Sequence, residues 1–294
     1  MKTNERDFKP LVVVVLYQKK LEEIAYLKEL TNVEVLIYDN SEIRINYEVD
    51  YHYVHDNNNS GVSKAYNYGF ILAEQLGLRY VLLLDQDTAF DNSKLEKYRE
   101  LVWKFGDEYI YAPIIKSSNK IYSPYREGLI RNYPLDLREF NYKELYKLKS
   151  RSVINSGLLI PLKVFKSVGL FNEQIKLDFS DTFFINNYKS KQMCLVLIDI
   201  QLDHKLSGDE GKNIQKELRR FRFYCNGAKS MLKTSNSTIR IYSLVFFRML
   251  RLVFKYNSIH PFKTYLYYFF GDKRVWKFLY VWPHRSEERR VGKE

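Results

Sequence analysis

The sequence contains little cysteine and no clustered histidine. Cys194 and Cys225 are the two cysteines among 294 residues, they lie far apart, and no CxxC occurs. A disulfide framework and a structural zinc site are therefore not supported, because each needs several suitably spaced residues. Two separate thiols fit a reducing cytoplasm, where each is expected to be a small buried apolar group.

Long apolar segments and common phosphate-binding loops are also missing. No run of 18 uncharged apolar residues occurs, so the sequence predicts no simple membrane-spanning helix. The run LVVVVLY covers only residues 11–17 with no small-residue cleavage site after it, which favours a buried strand over a signal peptide. The absence of GxGxxG and GxxxxGK[ST] argues against a dinucleotide fold and a P-loop.

Acidic residues are scarce in the last third of the chain. The formal net charge is +12, and residues 212–285 carry 16 Lys and Arg against two acidic residues. The same stretch is rich in aromatic residues, as in IYSLVFFRMLRLVFKY. We therefore predict an α/β domain over 1–210, a basic aromatic helical extension over 211–284, and a disordered polar tail over 285–294.

Strand and helix patterns alternate in the first part. Apolar strand patterns cover residues 11–17, 33–38, 51–54, 80–84, 153–160 and 193–200. Helical patterns cover residues 21–30, 62–76, 95–105, 161–169 and a stretch after 178, and Ser93 with Glu96 has capping-box spacing. This alternation predicts a mostly parallel central sheet flanked by helices.

Polar clusters follow three of the predicted strands. Asp39 and Asn40 follow the second strand, HDNNNSG at 55–61 follows the third, and Asp85 with Asp87 follows the fourth. Ligands bind outside the carboxyl ends of strands in such sheets, so we expect the clusters to converge. Two carboxylates this close favour a cation between them, and carboxylate oxygens suit Mg²⁺ or Mn²⁺ with substrate phosphates.

The order of several segments resembles that of a known enzyme family. The segments are VVVVLY, IYDNS, NNNSGVSKAYNYG, LLLDQDT, NSGLLIPLKVFKSVGLFNE, LDFSDTFF and LDHKLSG, within about residues 10–225. Together they resemble the inverting family 2 glycosyltransferases, especially their rhamnosyltransferase-like branch. The resemblance implies a GT-A fold, a metal-dependent transferase and a nucleotide-sugar donor linked to dTDP or UDP.

The resemblance also implies roles for individual residues. It implies that Asp181 is the catalytic base, with Asp178 as the fallback on the same helical face. It implies that Asp87 holds the metal, that Asp85 faces either the ribose or the metal, and that His204 can complete the metal shell. The implied donor-binding residues are Asp39, Asn40, Asn59, Gly61, Asn67, Asp85, Asp87, Ser156 and Gly157, with Asn155 beside the donor sugar. Ser180 stands where relatives often have a carboxylate. The arginine that relatives commonly have about two turns on, which would contact the donor phosphates, is replaced near Asn187.

Two other functions compete with this interpretation. A haloacid-dehalogenase-like phosphatase also has a DxDx[TV] motif after an apolar strand, but Ala89 occupies its last position here. The basic aromatic extension could bind single-stranded nucleic acid, or could simply cover the core. In residues 241–256 the apolar residues and the cations Arg248, Arg251 and Lys255 separate at helical spacing, so we favour a helix on an anionic membrane surface, with no nucleic acid partner. The expected enzyme then lies at the inner face of a bacterial cell membrane and acts on a glycan or lipid-linked acceptor.

Overall fold

The computed structural model describes residues 8–44, 49–117, 120–142, 144–203, 213–233 and 238–271. Contacts divide the chain into two compact units, Met1–Glu210 and Gly211–Glu294. The described strands all lie in the first unit, while the described part of the second unit is helical.

A nine-stranded sheet forms the centre of the first unit, beside a small sheet of three strands. The strands are β1 Leu11–Leu16, β2 Glu34–Asp39, β3 His52–His55, β4 Tyr80–Asp85, β5 Tyr111–Ser117, β6 Lys120–Ser123, β7 Tyr125–Arg126, β8 Tyr133–Pro134, β9 Tyr146–Lys147, β10 Arg151–Ser152, β11 Leu159–Pro161 and β12 Cys194–Asp203. The large sheet has the order β3-β2-β1-β4-β11-β5-β12-β9, with β6 beside β5, and the small sheet has the order β10-β7-β8.

The strands that lead to the polar clusters are parallel. β3, β2, β1 and β4 run side by side in the same direction, and β12 is parallel to β5. The short strand β11 is antiparallel to both β4 and β5, so it reverses direction in the middle of the sheet. The prediction of a mostly parallel α/β sheet is confirmed.

Apolar runs on the central strands are explained by burial on both faces. Val13 and Leu83 point into one core cluster, whereas Val12, Val14 and Leu82 point into the other. Helices α1 Val62–Gln75, α3 Leu162–Val168 and α4 Ser180–Lys191 contribute to the first cluster, and α2 Asn92–Phe105 contributes to the second. A strand covered on both sides has no polar face, which is why β1 has no alternation.

Several predicted elements differ from those in the structure. The helix expected over 21–30 is replaced by two short 3-10 turns, Leu21–Glu23 and Ala25–Lys28. The strand expected over 153–160 is reduced to β11 at its end, because β10 already ends at Ser152 and a turn follows it. Helix α2 is capped by Asp91, whose carboxylate accepts from the Lys94 amide, so the predicted cap at Ser93 is wrong. β5 was missed.

The second unit contains three helices and a π-helical turn among its described residues. They are α5 Ile214–Leu232, α6 Thr238–Tyr256, α7 His260–Tyr265 and the turn Leu266–Phe270. Ile241, Val245, Met249 and Leu252 form the buried side of α6, and Cys225 of α5 is also buried. In the parts of the chain described above, no helix is long and apolar enough to cross a membrane. Residues 272–294, including the tail predicted over 285–294, lie outside those parts.

Candidate active site

Three polar clusters lie at the same edge of the sheet. Asp39 ends β2, where it pairs with Leu16 of β1 and with His55 at the end of β3. Asp85 ends β4 and pairs with Val15 of β1. Because these four neighbouring strands are parallel, their carboxyl ends and the polar residues that follow them meet at one edge.

Asp39 is the most deeply buried carboxylate at this edge, with 0% exposure. One oxygen accepts from the Ser41 amide at 2.9 Å, and the other accepts from the Tyr53 hydroxyl at 2.7 Å. These contacts hold the turn after β2 in place. The next residue, Asn40, is also buried, and its Oδ1 accepts from the Gly61 amide at 3.4 Å.

The loop HDNNNSG is held against the segment that precedes α4. The Lys176 carbonyl accepts from the Val62 amide at 2.8 Å, and the Lys176 ammonium donates to the Asn59 carbonyl at 2.9 Å. Gly61 has a φ of 95°, and a Cβ there would lie 2.2 Å from the Lys176 carbonyl oxygen. Only glycine fits this close approach, so Gly61 sets where α1 begins.

Asp56 organises the same loop. Its carboxylate accepts from the Tyr38 hydroxyl at 3.0 Å and from the amides of Asn58 and Ser60. Burial alone would raise the pKa of Asp56, but these hydrogen bonds hold it below its ordinary value. Asp56 therefore stays charged and rigidifies the loop.

Asn67 of α1 is buried, and its side-chain amide forms three hydrogen bonds within the protein. Its amide nitrogen donates to the Phe171 carbonyl and to the Glu173 carboxylate at 3.0 Å each, and its Oδ1 accepts from the Phe171 amide at 2.9 Å. Asn67 thus fixes the segment after α3 onto α1.

The acidic turn, residues 85–88, is rigidly supported. Its Thr88 amide donates to the Asp85 carbonyl at 3.1 Å, and the side chain of Gln86 accepts from the Tyr17 amide at 2.9 Å. The Lys19 ammonium donates to the Gln86 carbonyl at 2.9 Å. The Gln86 side chain is held by Tyr17, which directly follows β1. The half-buried carboxylates of Asp85 and Asp87 are the acidic groups that this turn presents.

Tyr26 lies beneath the acidic turn. Its hydroxyl donates to the Asp85 carbonyl at 3.1 Å. Burial raises the pKa of Tyr26 well above its ordinary value, and the negative charges of Asp85 and Asp87 raise it further. Tyr26 therefore stays protonated and keeps a hydroxyl that donates to the acidic turn.

The donor set of the acidic turn suits a hard divalent cation. Mg²⁺ is commonly held by one or two carboxylates together with substrate phosphates and water, which is what two carboxylates on one turn offer. Among the residues that the structure describes, no group of three or more His, Cys, Asp or Glu lies together. His204, the predicted third ligand, falls outside the described residues, although the Asp203 carbonyl before it accepts from the Ala89 amide at 3.3 Å.

The segment Asn155–Ser156–Gly157 runs beside the acidic turn. Ser156 Oγ lies 3.1 Å from Thr88 Oγ1, and the Gly157 amide donates to the Leu83 carbonyl at 2.7 Å. Asn155 is buried, and its amide nitrogen donates to Ser180 Oγ at 3.4 Å. Its Oδ1 is also buried and has no hydrogen-bond partner within the described part of the chain.

Asp181 occupies the first turn of α4. Its Oδ1 accepts from the Thr182 amide at 2.7 Å and from the Thr182 hydroxyl at 3.3 Å. Burial raises the pKa of Asp181 to about 6, and the negative charge of Asp178 adds to the increase. A carboxyl group whose pKa lies this near neutrality is suited to accept a proton.

Asp178 differs from its predicted position. It lies before α4, because Phe179 is the N-cap residue with a φ of 74° and the helix begins at Ser180. The prediction that Asp178 shares a helical face with Asp181 is therefore wrong. The left-handed conformation at Phe179 turns the chain between the two aspartates.

Tyr66 of α1 is a buried residue that the sequence patterns did not single out. Its hydroxyl is buried in α1; burial raises its pKa well above the ordinary value, and the charges of Asp85 and Asp181 raise it further. Side-chain contacts join the same two parts of the site: Ser156 contacts Thr88 of the acidic turn, and its neighbour Asn155 contacts Ser180, next to Asp181.

Comparison with known proteins identifies the class. Residues 18–166, just over half of the chain, match the model of glycosyl transferase family 2. The chain belongs to this family and is a glycosyltransferase. This assignment argues against the phosphatase alternative. Asp181 lies beyond the matched residues, so its role rests on the geometry described above.

Solved structures share the fold. S. aureus TarS 1-349 matches with a TM-score of 0.50 and 14% identity over 91% of this chain and 82% of that one. GalNAc-T7 matches with a TM-score of 0.54 and 13% identity over 88% of this chain and 59% of its own length. At these identities the likeness shows the fold, which is the predicted GT-A type. No curated protein matches the sequence.

Proposed function

We propose that this glycosyltransferase uses a divalent metal to transfer a sugar from a nucleotide-diphosphate donor to an acceptor hydroxyl, with inversion at the anomeric carbon. The observation that carries the proposal is the segment Asn155–Ser156, which contacts Thr88 of the acidic turn on one side and Ser180, next to Asp181, on the other. A metal-binding carboxylate and a proton acceptor are the two groups that this reaction needs close together.

The acidic turn would hold the metal and the donor diphosphate. Asp85 and Asp87 would bind Mg²⁺ or Mn²⁺, with His204 as a third ligand. The cation, when bound, offsets negative charge on the leaving diphosphate. GalNAc-T7 was solved with UDP, GalNAc and Mn²⁺, which supports a divalent metal and a nucleotide donor in a protein of this fold.

Asp181 would remove the proton from the acceptor hydroxyl as that oxygen attacks the sugar. Burial disfavours the charged carboxylate of Asp181 relative to its protonated form, so its pKa is raised to about 6. The attack comes from the face opposite the leaving diphosphate, so one carboxylate on the acceptor side is sufficient. Asp178 remains the alternative base.

The other predicted donor-binding residues would shape the donor pocket. Asp39 and Asn40 would form its floor near the nucleotide base, since both are buried and hold the turn after β2. Asn59, Gly61 and Asn67 would position the loop and the start of α1. Ser156 and Gly157 would lie beside the donor sugar, where Ser156 contacts the acidic turn through Thr88.

The sugar is proposed to be rhamnose or a similar hexose on dTDP or UDP. This follows from the resemblance to the rhamnosyltransferase-like branch. The acceptor would be a cell-surface glycan or a lipid-linked glycan.

A metal-dependent nucleotide screen tests the proposed reaction. We expect dTDP, UDP or their sugars to raise the melting temperature of the full chain by several degrees when Mg²⁺ or Mn²⁺ is present, and by less with EDTA. Binding to the folded state alone stabilises a protein by about 2.7 kcal/mol at a ligand concentration of 100 times Kd. A melting temperature that no nucleotide diphosphate changes, with or without metal, would remove the proposed reaction.

We also propose that the unit after residue 210 is a separate extension that contacts an anionic membrane surface. Its helix α6 has an exposed apolar side in addition to its buried one. That side includes Ile239, Tyr242, Phe246, Phe247 and Phe254, of which Ile239 is 74% and Phe254 is 80% exposed. Residues three, four and seven positions apart lie on one side of a helix, so these groups form a continuous surface.

Two of the three cations predicted to flank this surface contact other side chains of the second unit. Arg248 stacks on the Tyr224 ring at 4.1 Å, and Lys255 pairs with Glu217 at 3.1 Å, whereas Arg251 is exposed. The prediction that all three cations face a membrane is therefore corrected. Insertion of exposed aromatic side chains would supply more of the binding than charge does.

Vesicle flotation tests the membrane contact. We expect the protein to float with phosphatidylglycerol vesicles, and the Ile239→Ser/Phe254→Ser variant to lose most of that binding because the two most exposed apolar side chains of this surface are gone. The matched control is Leu129→Ser/Leu170→Ser, which removes two exposed leucines from the first unit. Salt-sensitive binding to an oligonucleotide, with no binding to vesicles, would favour the nucleic acid alternative instead.

A further inference from the structure

A basic cavity of about 360 Å³ lies in the first unit, away from the acidic turn in sequence. It is lined by Arg126, Lys147, Lys149, Ser150 and Arg151. Four of these five residues are cationic, and no acidic side chain lines the cavity. None of these residues has a role in the site described above.

Two of the four cationic residues lie directly opposite each other, so their positive charges repel. Arg126 of β7 is directly opposite Arg151 of β10 in the antiparallel pair. Like charges in such a pair repel, and Glu139 offsets the repulsion by bridging both guanidinium groups at 3.2 and 3.3 Å. Glu139 is a single carboxylate, so it neutralises only one of the two positive charges.

Lys147 and Lys149 add two positive charges to the cavity. Lys147 ends β9, and Lys149 follows in the turn to β10 with a φ of 25°, a left-handed backbone conformation. Both side chains are exposed, and neither forms an ion pair with any other described residue. Counting Glu139, the cavity therefore carries an excess of about three positive charges.

This group of donors matches a phosphate ester. A phosphate group presents several acceptor oxygens and up to two negative charges, which guanidinium forks and ammonium groups bind through charge-assisted hydrogen bonds. The Ser150 side chain provides a further hydroxyl donor at the cavity wall.

The cavity is within reach of the proposed catalytic base. Four residues separate Arg151 from Asn155, which is bonded to Ser180 beside Asp181, and four residues span at most about 14 Å. On a second route, Lys189 of α4 pairs with Glu127, next to Arg126, at 2.9 Å. Eight residues of helix separate Lys189 from Asp181, which is about 12 Å.

We propose that this cavity binds a phosphate ester carried by the sugar acceptor. It would place the acceptor so that a hydroxyl some distance along the same molecule reaches Asp181. The assignment to the acceptor rests on the proposed transferase reaction, whereas phosphate binding by the cavity does not. The proposed substrate class is therefore a phosphorylated glycan or a sugar phosphate polymer.

Calorimetric titration of the full chain at low salt tests the cavity, with inorganic phosphate and glycerol 3-phosphate as probes. We expect Lys147→Gln/Lys149→Gln to weaken phosphate binding by about tenfold or more, because two close charges are lost. The matched control, Lys97→Gln/Lys104→Gln, removes two exposed lysines from α2 and should leave binding unchanged. Glu139→Gln should tighten binding several-fold, since its carboxylate competes with phosphate for the two arginines.

Two calorimetric results would contradict the cavity proposal. No phosphate binding by the unsubstituted protein, or equal binding by all variants, would overturn the cavity proposal. A parallel titration with UDP and Mn²⁺ separates this cavity from the donor site, and the lysine variant should bind UDP normally. Loss of UDP binding in that variant would assign the cavity to the donor and overturn the acceptor assignment. Phosphate binding by the cavity without binding of any nucleotide diphosphate would instead remove the proposed reaction and leave the cavity.

Discussion

Asp181→Asn is expected to lower kcat by about 10²–10⁴-fold, the usual contribution of a general base, while donor binding is preserved. The amide keeps an oxygen that can accept from the Thr182 amide and hydroxyl, so the first turn of α4 should be unchanged. Only the ability to accept a proton is lost. Turnover measured with a donor sugar, alongside calorimetry with its nucleotide diphosphate, separates the two effects.

Asp178→Asn provides the matched control for this substitution. Asp178 raises the pKa of Asp181 through its charge, so its removal should lower that pKa and leave most of the turnover. Near-normal turnover in Asp181→Asn with a large loss in Asp178→Asn would move the base to Asp178. Loss of nucleotide binding in Asp181→Asn would instead show that Asp181 belongs to the donor pocket.

The raised pKa of Asp181 also predicts how activity and stability depend on pH. The base must be ionised, so kcat/KM should rise with pH through about 6 and level off above it. Stability should change in the opposite direction. Between pH 3.8 and about 6 the folded protein keeps a proton on Asp181 that the unfolded chain has released, so the contribution of Asp181 to the free energy of unfolding should fall as pH rises through this range. Asp181→Asn should remove both dependences.

The sheet was the most predictable feature because its signal is local. The run of four valines in β1 needs burial on both faces, and any fold that provides this places the strand inside a layered sheet. The region 21–30 was misassigned because its helical spacing of apolar residues arises in two successive 3-10 turns. Tertiary contacts such as that of Tyr26 with Asp85 fix those turns, and no local pattern encodes them.

The acidic residues of the site were predictable, but the groups that support them were not. Asp85 and Asp87 follow a buried strand, which is an unusual pattern that a sequence shows directly. Gln86 and Lys19 have ordinary neighbours, and their contacts cross 69 and 67 residues of chain. Tyr66 fits the apolar pattern of α1, so the effect of Asp85 and Asp181 on its pKa emerges only when α1 packs beside the sheet.

Asp87→Asn is expected to weaken nucleotide diphosphate binding in the presence of Mn²⁺ by about a hundredfold or more. Even residues that only support metal ligands change metal affinity by about 10–100-fold, so loss of a direct ligand should cost at least as much. An amide keeps the size of the side chain but has no charge with which to hold the cation. Calorimetry with UDP or dTDP at fixed Mn²⁺ concentration measures the change.

The size of this effect should depend on the metal, and that dependence is what ties the acidic turn to a cation. With EDTA, wild-type protein should bind the nucleotide weakly, and Asp87→Asn should bind it equally or slightly better, because a negative charge near the phosphates is gone. Asp50→Asn, which removes an exposed carboxylate from the same unit, controls for net charge. If Asp87→Asn weakened binding equally with Mn²⁺ and with EDTA, the acidic turn would contact the nucleotide directly, and the proposed metal site would be wrong.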